Sequence, residues 1–169
     1  MCVCRELKLP APAAETFAKA ILNSIVGHRL DRRLDVGEPC AFVDEVTNHP
    51  LGRAVRVLKD GPGTNYRIRD KEVIQVNRTM GGVRYTHTIL ENEHNVDMKH
   101  LTVAYVADLW DAKTGALVRT DTNHQTWIRV GKFDLPEVVT RIRATPDHGL
   151  EVGTLKLSNL KLGVGLPKP

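Results

Sequence analysis

Seven histidines and three cysteines are the side chains of this 169-residue sequence best suited to hold a metal or attack a substrate. His94 and His100 stand six residues apart, with His87 upstream and Glu91, Glu93 and Asp97 close by. Specific zinc motifs place two histidines on one helical turn or couple histidine to a CxxC pair. Glu91–Lys99 offers neither, so it reads as a polar loop without fixed ligand geometry, and no metal or other cofactor is expected. Cys2-x-Cys4 lacks the two-residue gap of a metal knuckle, and with Cys40 the cysteines are odd in number, so no disulfide framework is indicated. The expected state is two thiols at a frayed end and one buried thiol. His124 follows Asp121 and Asn123, but the only serines, Ser24 and Ser158, sit in no GxSxG elbow. Gly61-Pro62-Gly63, Gly81-Gly82 and Gly163-Val164-Gly165 lack the spacing of a phosphate-cradling loop between strand and helix. No catalytic residue is assigned.

The elements that would position any site are mostly strands. Within Thr64–Leu90, Tyr66 and Ile68 fall on one side and Arg67 and Arg69 on the other. Ile74 and Val76 repeat the alternation, and Val83, Tyr85, His87 and Ile89 oppose Arg84, Thr86 and Thr88, the period of a half-buried strand. A slip of one residue would drive an arginine inward, so register is well specified. Leu101–Trp110 is apolar on both faces and reads as a central strand. Trp110-Asp111-Ala112-Lys113-Thr114-Gly115 predicts a hairpin turn in which Asp caps the bend and Gly takes positive φ. Ala41–Thr47, Arg53–Lys59, Ala116–Thr120, Gln125–Val130, Glu137–Thr145 and Leu150–Leu162 supply further strands, with Gly131–Pro136 read as a junction. Before them, Ala13–Leu30 has helical spacing that aligns Phe17, Ile21 and Ile25 on one face. His28 at the helix end suits a dipole-facing cation, and Arg32 and Arg33, beside Asp31 and Asp35, read as a salt-bridged surface.

Composition limits the function classes. Hydrophobic residues at 41% and charged residues at 26% suit an ordinary folded protein, and a chain of this length buries roughly 70% of its unfolded surface without staples. The net charge of +4 is spread among 20 acidic residues rather than gathered in a stripe, which argues against nucleic acid as partner. No run reaches the roughly 18 apolar residues of a membrane span, and charge at Arg5, Glu6 and Lys8 interrupts any signal-peptide core. A cytoplasmic location is the default expectation. The expected organisation is one domain over 10–165 with flexible ends at 1–9 and 166–169.

The stretch from Tyr66 to Thr140, with Ile74–Arg78 (IQVNR), Trp110–Gly115 (WDAKTG), Thr126-Trp127 followed by Val130-Gly131, and Leu135-Pro136, resembles an uncharacterised domain family known chiefly from oxygenic phototrophs. In element order the chain is also similar to the open half-barrels of lipoprotein-carrier proteins. The first resemblance implies no activity. The second implies a curved sheet wrapped on an apolar hollow.

The expected fold is therefore α+β, one N-terminal helix on a curved, predominantly antiparallel, half-barrel-like sheet. Its hollow would be lined by Tyr66, Ile68, Arg78, Val83, Tyr85, His87, Val103 and Tyr105 and would take an apolar or amphipathic small molecule. The same residues serve equally as packing for the helix. A protein-interaction or self-association domain working through an edge strand or an aromatic patch at Trp110 and Trp127 is the alternative, and a homo-oligomer is compatible with it. An enzyme joining Arg78, His87 and Tyr105 is a third reading. The sequence names no ligand, partner or reaction.

Overall fold

Nine strands follow one another in the chain and lie in that same order in one antiparallel sheet. The computed structural model describes residues 14–21, 39–43, 48–59 and 61–160. The expectations for Ile25, His28, the charged run 29–35, residues 44–47 and both chain ends lie outside the described residues. The strands are β1 Cys40–Phe42, β2 Arg53–Val57, β3 Asn65–Arg69, β4 Glu72–Met80, β5 Val83–His94, β6 His100–Asp111, β7 Leu117–Val130, β8 Phe133–Thr145 and β9 Gly149–Lys156. Every neighbouring pair is antiparallel, and the sheet stays open, with β1 and β9 as its edges. One helix, α1, spans residues 14–21 among those described. The α+β expectation holds in this coarse form, and the sheet dominates it. No helix among the described residues is long and apolar enough to cross a membrane.

Register converts the alternation of the sequence into two faces. Phe42, Val55, Tyr66, Val76, His87, Ala107, Asp121, Arg143 and Glu151 are successive cross-strand partners in one row from edge to edge. The next row is Ala41, Arg56, Asn65, Asn77, Thr86, Asp108, Thr120, Ala144 and Leu150. Partners directly opposite share a face and neighbours along a strand do not, so the first row marks one side and the second the other.

Helix α1 covers the first face at its β8–β9 end. A Cβ built on Gly153 would lie 2.7 Å from Phe17 Cε2, and the Arg141 guanidinium stacks over the Phe17 ring at 4.6 Å. Ala18 and Ile21, one helical turn apart, are buried, as the spacing requires of Ile21, while Ala20 faces out. Ile74, Leu109 and Val139 complete the buried apolar set on this side. Ile68 and Tyr85 are half-buried, but so is Arg67, while Arg84 is exposed.

Turn chemistry sets the hairpins. Asp111 Oδ1 accepts from Lys113 N at 3.0 Å and from Thr114 N at 2.6 Å, and Gly115 takes φ 74°, which is the turn expected at Trp110–Gly115. Five expectations change. Cys40, expected as a buried thiol, is exposed, and β9 ends at Lys156 instead of running on through Leu160. Glu91–His94 continue β5 rather than opening a loop, which leaves only 95–99 as the turn. Ala116–Thr120 and Gln125–Val130 are one strand of 14 residues, β7. Leu135 and Pro136 belong to β8, not to a junction. Proline is tolerated there because the β7–β8 register shifts between Thr126 and Trp127, so the missing N–H falls at a bulge.

Candidate functional site

A cavity of about 480 Å³ opens on the face opposite α1, at the β1–β6 side of the sheet. Four consecutive antiparallel pairs, from β2–β3 to β5–β6, build its floor. Arg56, Asn65, Asn77 and Thr86 lie side by side in one row, Ala54 and Arg67 pair in the row below, and Arg84 pairs with Trp110 in the row above. Val43, whose N–H donates to Ala54 O at 3.0 Å, closes the β1 side. Among the described residues, three guanidinium groups and no carboxylate line this space.

Side-chain hydrogen bonds hold the floor in place. Asn77 Nδ2 donates to Gln75 Oε1 at 2.9 Å, Thr86 Oγ1 donates to Asn77 Oδ1 at 2.8 Å, and Gln75 Nε2 donates to Thr88 Oγ1 at 2.9 Å. Arg56 Nε donates to Asn65 Oδ1 at 3.2 Å, and Asn65 Nδ2 in turn donates to Gly63 O at 3.0 Å. The Arg84 guanidinium lies 5.2 Å over the Trp110 ring, which gives the cavity one flat aromatic wall capped by a cation. Such a space can accept an anionic group through forked N–H donors and cover an attached apolar body with indole.

Of the eight residues expected to line a hollow, Tyr66 alone borders this cavity, although its register assigns it to the α1 face. Val83, Tyr85, His87 and Tyr105 belong by register to the α1 face. Ile68 pairs with Val73 beyond the bulge at Arg67/Ile68, and Val103 sits where the β5–β6 register shifts. Arg78 is exposed and opposite Tyr85, one strand from the His87–Tyr105 stack, whose ring centroids lie 4.4 Å apart.

Beyond that stack the α1 face carries a charge cluster that alternation did not flag. Asp121, 6% exposed, receives Arg143 Nε at 2.7 Å and Arg143 Nη2 at 3.1 Å. Arg119 Nε approaches Asp121 Oδ2 to 3.1 Å without the alignment of a hydrogen bond. The hydrogen bond to Asp121 raises the Arg143 pKa, whereas burial, and then the charge of Arg143, lower that of Arg141. Burial pushes the Tyr105 phenol up. One carboxylate among Arg119, Arg141 and Arg143 reads as a structural ion network.

A third grouping was half visible in the sequence. His94 and His100 are register partners at the end of the β5–β6 hairpin, and Glu72 of β4 reaches them. Only Glu72 was missed, because nothing local signals a partner 22 residues upstream of His94. Phe42, at the β1 edge, is 62% exposed beneath the Arg53 guanidinium.

A family model described as "Protein of unknown function (DUF3386)" matches residues 10–162, far more than the Tyr66–Thr140 motifs that suggested an uncharacterised family. No curated protein and no solved structure matches the chain, so the likeness to lipoprotein-carrier half-barrels draws no support from them.

Proposed function

From the premise that the chain belongs to the DUF3386 family, whose description names no activity, we propose a one-domain, non-catalytic module that binds an amphipathic small molecule bearing an anionic group. The observation that carries this reading is the cavity of about 480 Å³ with Arg56, Arg67 and Arg84, and no carboxylate, among the described residues of its lining. Its volume falls within the range of small-molecule sites, and an anion there meets three guanidinium donors, while Asp108, the cross-strand partner of Thr86 at the cavity's border, is occupied by the Thr120 hydroxyl. Trp110 supplies a flat apolar surface for the remainder of the ligand.

Dodecyl phosphate and dodecyltrimethylammonium distinguish charge recognition from mere greasiness, because they share a tail and differ in head-group sign. Dodecyl phosphate at submicellar concentration should raise the melting temperature, and the cationic detergent should not. Arg56→Ala with Arg84→Ala should abolish the difference while the unliganded melting temperature stays within a few degrees of the parent. Equal shifts from both amphiphiles, or none from the phosphate, would remove the proposal.

A second reading, self-association, rests on the β9 edge. Leu150 and Val152 there are 73% and 70% exposed, and neighbouring Ile142 is 42% exposed. A second copy adding its own β9 would pair these open edges. Light scattering that returns a monomer at high protein concentration would exclude it.

A further inference from the structure

We propose that Glu72, His94 and His100 form a binding site for a divalent transition-metal ion of the zinc class. Glu72 Oε1 lies 3.3 Å from His100 Nδ1 and 3.9 Å from His94 Nε2, and one ligand atom from each residue falls within 4.8 Å of the others. Ligands held at zinc–nitrogen and zinc–oxygen lengths of about 2.1 Å around a tetrahedron stand about 3.4 Å from one another. Two of the three edges are thus close to the bound spacing, and small side-chain rotations close the third. The imidazole rings lie 4.4 Å apart and tilted by 58°, so they are not stacked flat against each other.

The support around the three residues is built as well. Asn92 Nδ2 donates to Glu72 Oε2 at 3.0 Å, which holds the other carboxylate oxygen and leaves Oε1 toward the imidazoles. This is the kind of outer contact that orients a ligating carboxylate. The turn that sets the two histidines opposite each other is pinned too. Asn95 Oδ1 accepts from Asp97 N and Lys99 N at 2.9 Å each, and Asn95 Nδ2 donates to Asp134 Oδ2 at 2.6 Å. Two imidazoles and one carboxylate select zinc, copper(II) or nickel over magnesium and calcium, which want oxygen donors throughout. With side chains 27% to 49% exposed, the site keeps a coordination position open to water.

The test uses the full chain with Cys2→Ser and Cys4→Ser, so that the terminal thiols cannot take up zinc, stripped with chelator and titrated calorimetrically with zinc chloride. One ion per chain is expected. Glu72→Gln and His100→Ala should each weaken affinity at least 10-fold, while His124→Ala, outside the group, leaves it unchanged. Imidazole nitrogen–proton spectra of the unsubstituted site supply a readout independent of how the variants fold, and zinc should shift His94 and His100 there first. Zinc that moves neither resonance, or binds both variants as tightly as the parent, would overturn the site and leave the three as an ordinary His–Glu contact.

Discussion

Substitution of Gly153 by alanine tests whether α1 is seated on the sheet as described. The new Cβ would stand 2.7 Å from Phe17 Cε2 and 2.8 Å from Phe17 Cζ, roughly 0.8 Å short of the separation at which carbon atoms attract. Displacing the ring from Arg141 and from β9 costs about 1–2.5 kcal/mol as overpacking. Opposing this, alanine in a strand gains about 0.5–1 kcal/mol over glycine, so the single substitution should destabilise by roughly 0–2 kcal/mol. In a Phe17→Ala background the obstruction is gone and only the gain remains. There Gly153→Ala should stabilise, which makes the coupling between the two sites about 1–2.5 kcal/mol. Urea unfolding followed by the fluorescence of Trp110 and Trp127 measures all four corners of the cycle. For a chain of this size the coupling corresponds to a difference of about 2–10 °C in melting temperature. Effects that add to within about 0.5 kcal/mol would mean that Phe17 does not lie over Gly153.

Two further outcomes follow from the same structure. Ile21→Asp places an unpaired carboxylate at a position only 6% exposed and should unfold the protein or cost at least about 3 kcal/mol; an unchanged melting temperature would remove α1 from the core. The hydrogen bond from Arg129 holds the Asp97 carboxyl below its ordinary pKa. Its contribution is therefore present at neutral pH and lost as pH falls through the lowered value. Arg129→Ala should raise the Asp97 titration midpoint in carboxyl carbon spectra, and an unmoved midpoint would disprove the pairing.

Period-2 alternation made the sheet legible, because a half-buried strand must place apolar residues on every second position. Val83, Tyr85, His87 and Ile89 therefore lie together as read. The same logic hid what is polar and ordered. Glu91–His94 looked like a loop because their side chains are hydrophilic, yet the ladder continues through them as backbone pairing demands nothing of the side chain. Asp121 and Asn123 split β7 in the sequence, since buried polar groups are identified only by partners, and Arg143 lies 22 residues away from Asp121. The cavity escaped for a related reason. Arg56, Asn65, Arg67, Asn77, Arg84 and Thr86 stood on the side that alternation assigns to water, and only cross-strand register shows that they meet.

A sheet in which each strand bonds only to the strands before and after it in the chain has a kinetic consequence. Every pairing step closes a short loop, so no segment must wait for a distant one to be synthesised, and contact order stays low for an all-antiparallel architecture. Hairpins can zip in succession as the polypeptide leaves the ribosome. Their loss on unfolding should begin at whichever terminal ribbon is weaker and spread inward, like the fraying of a linear repeat array.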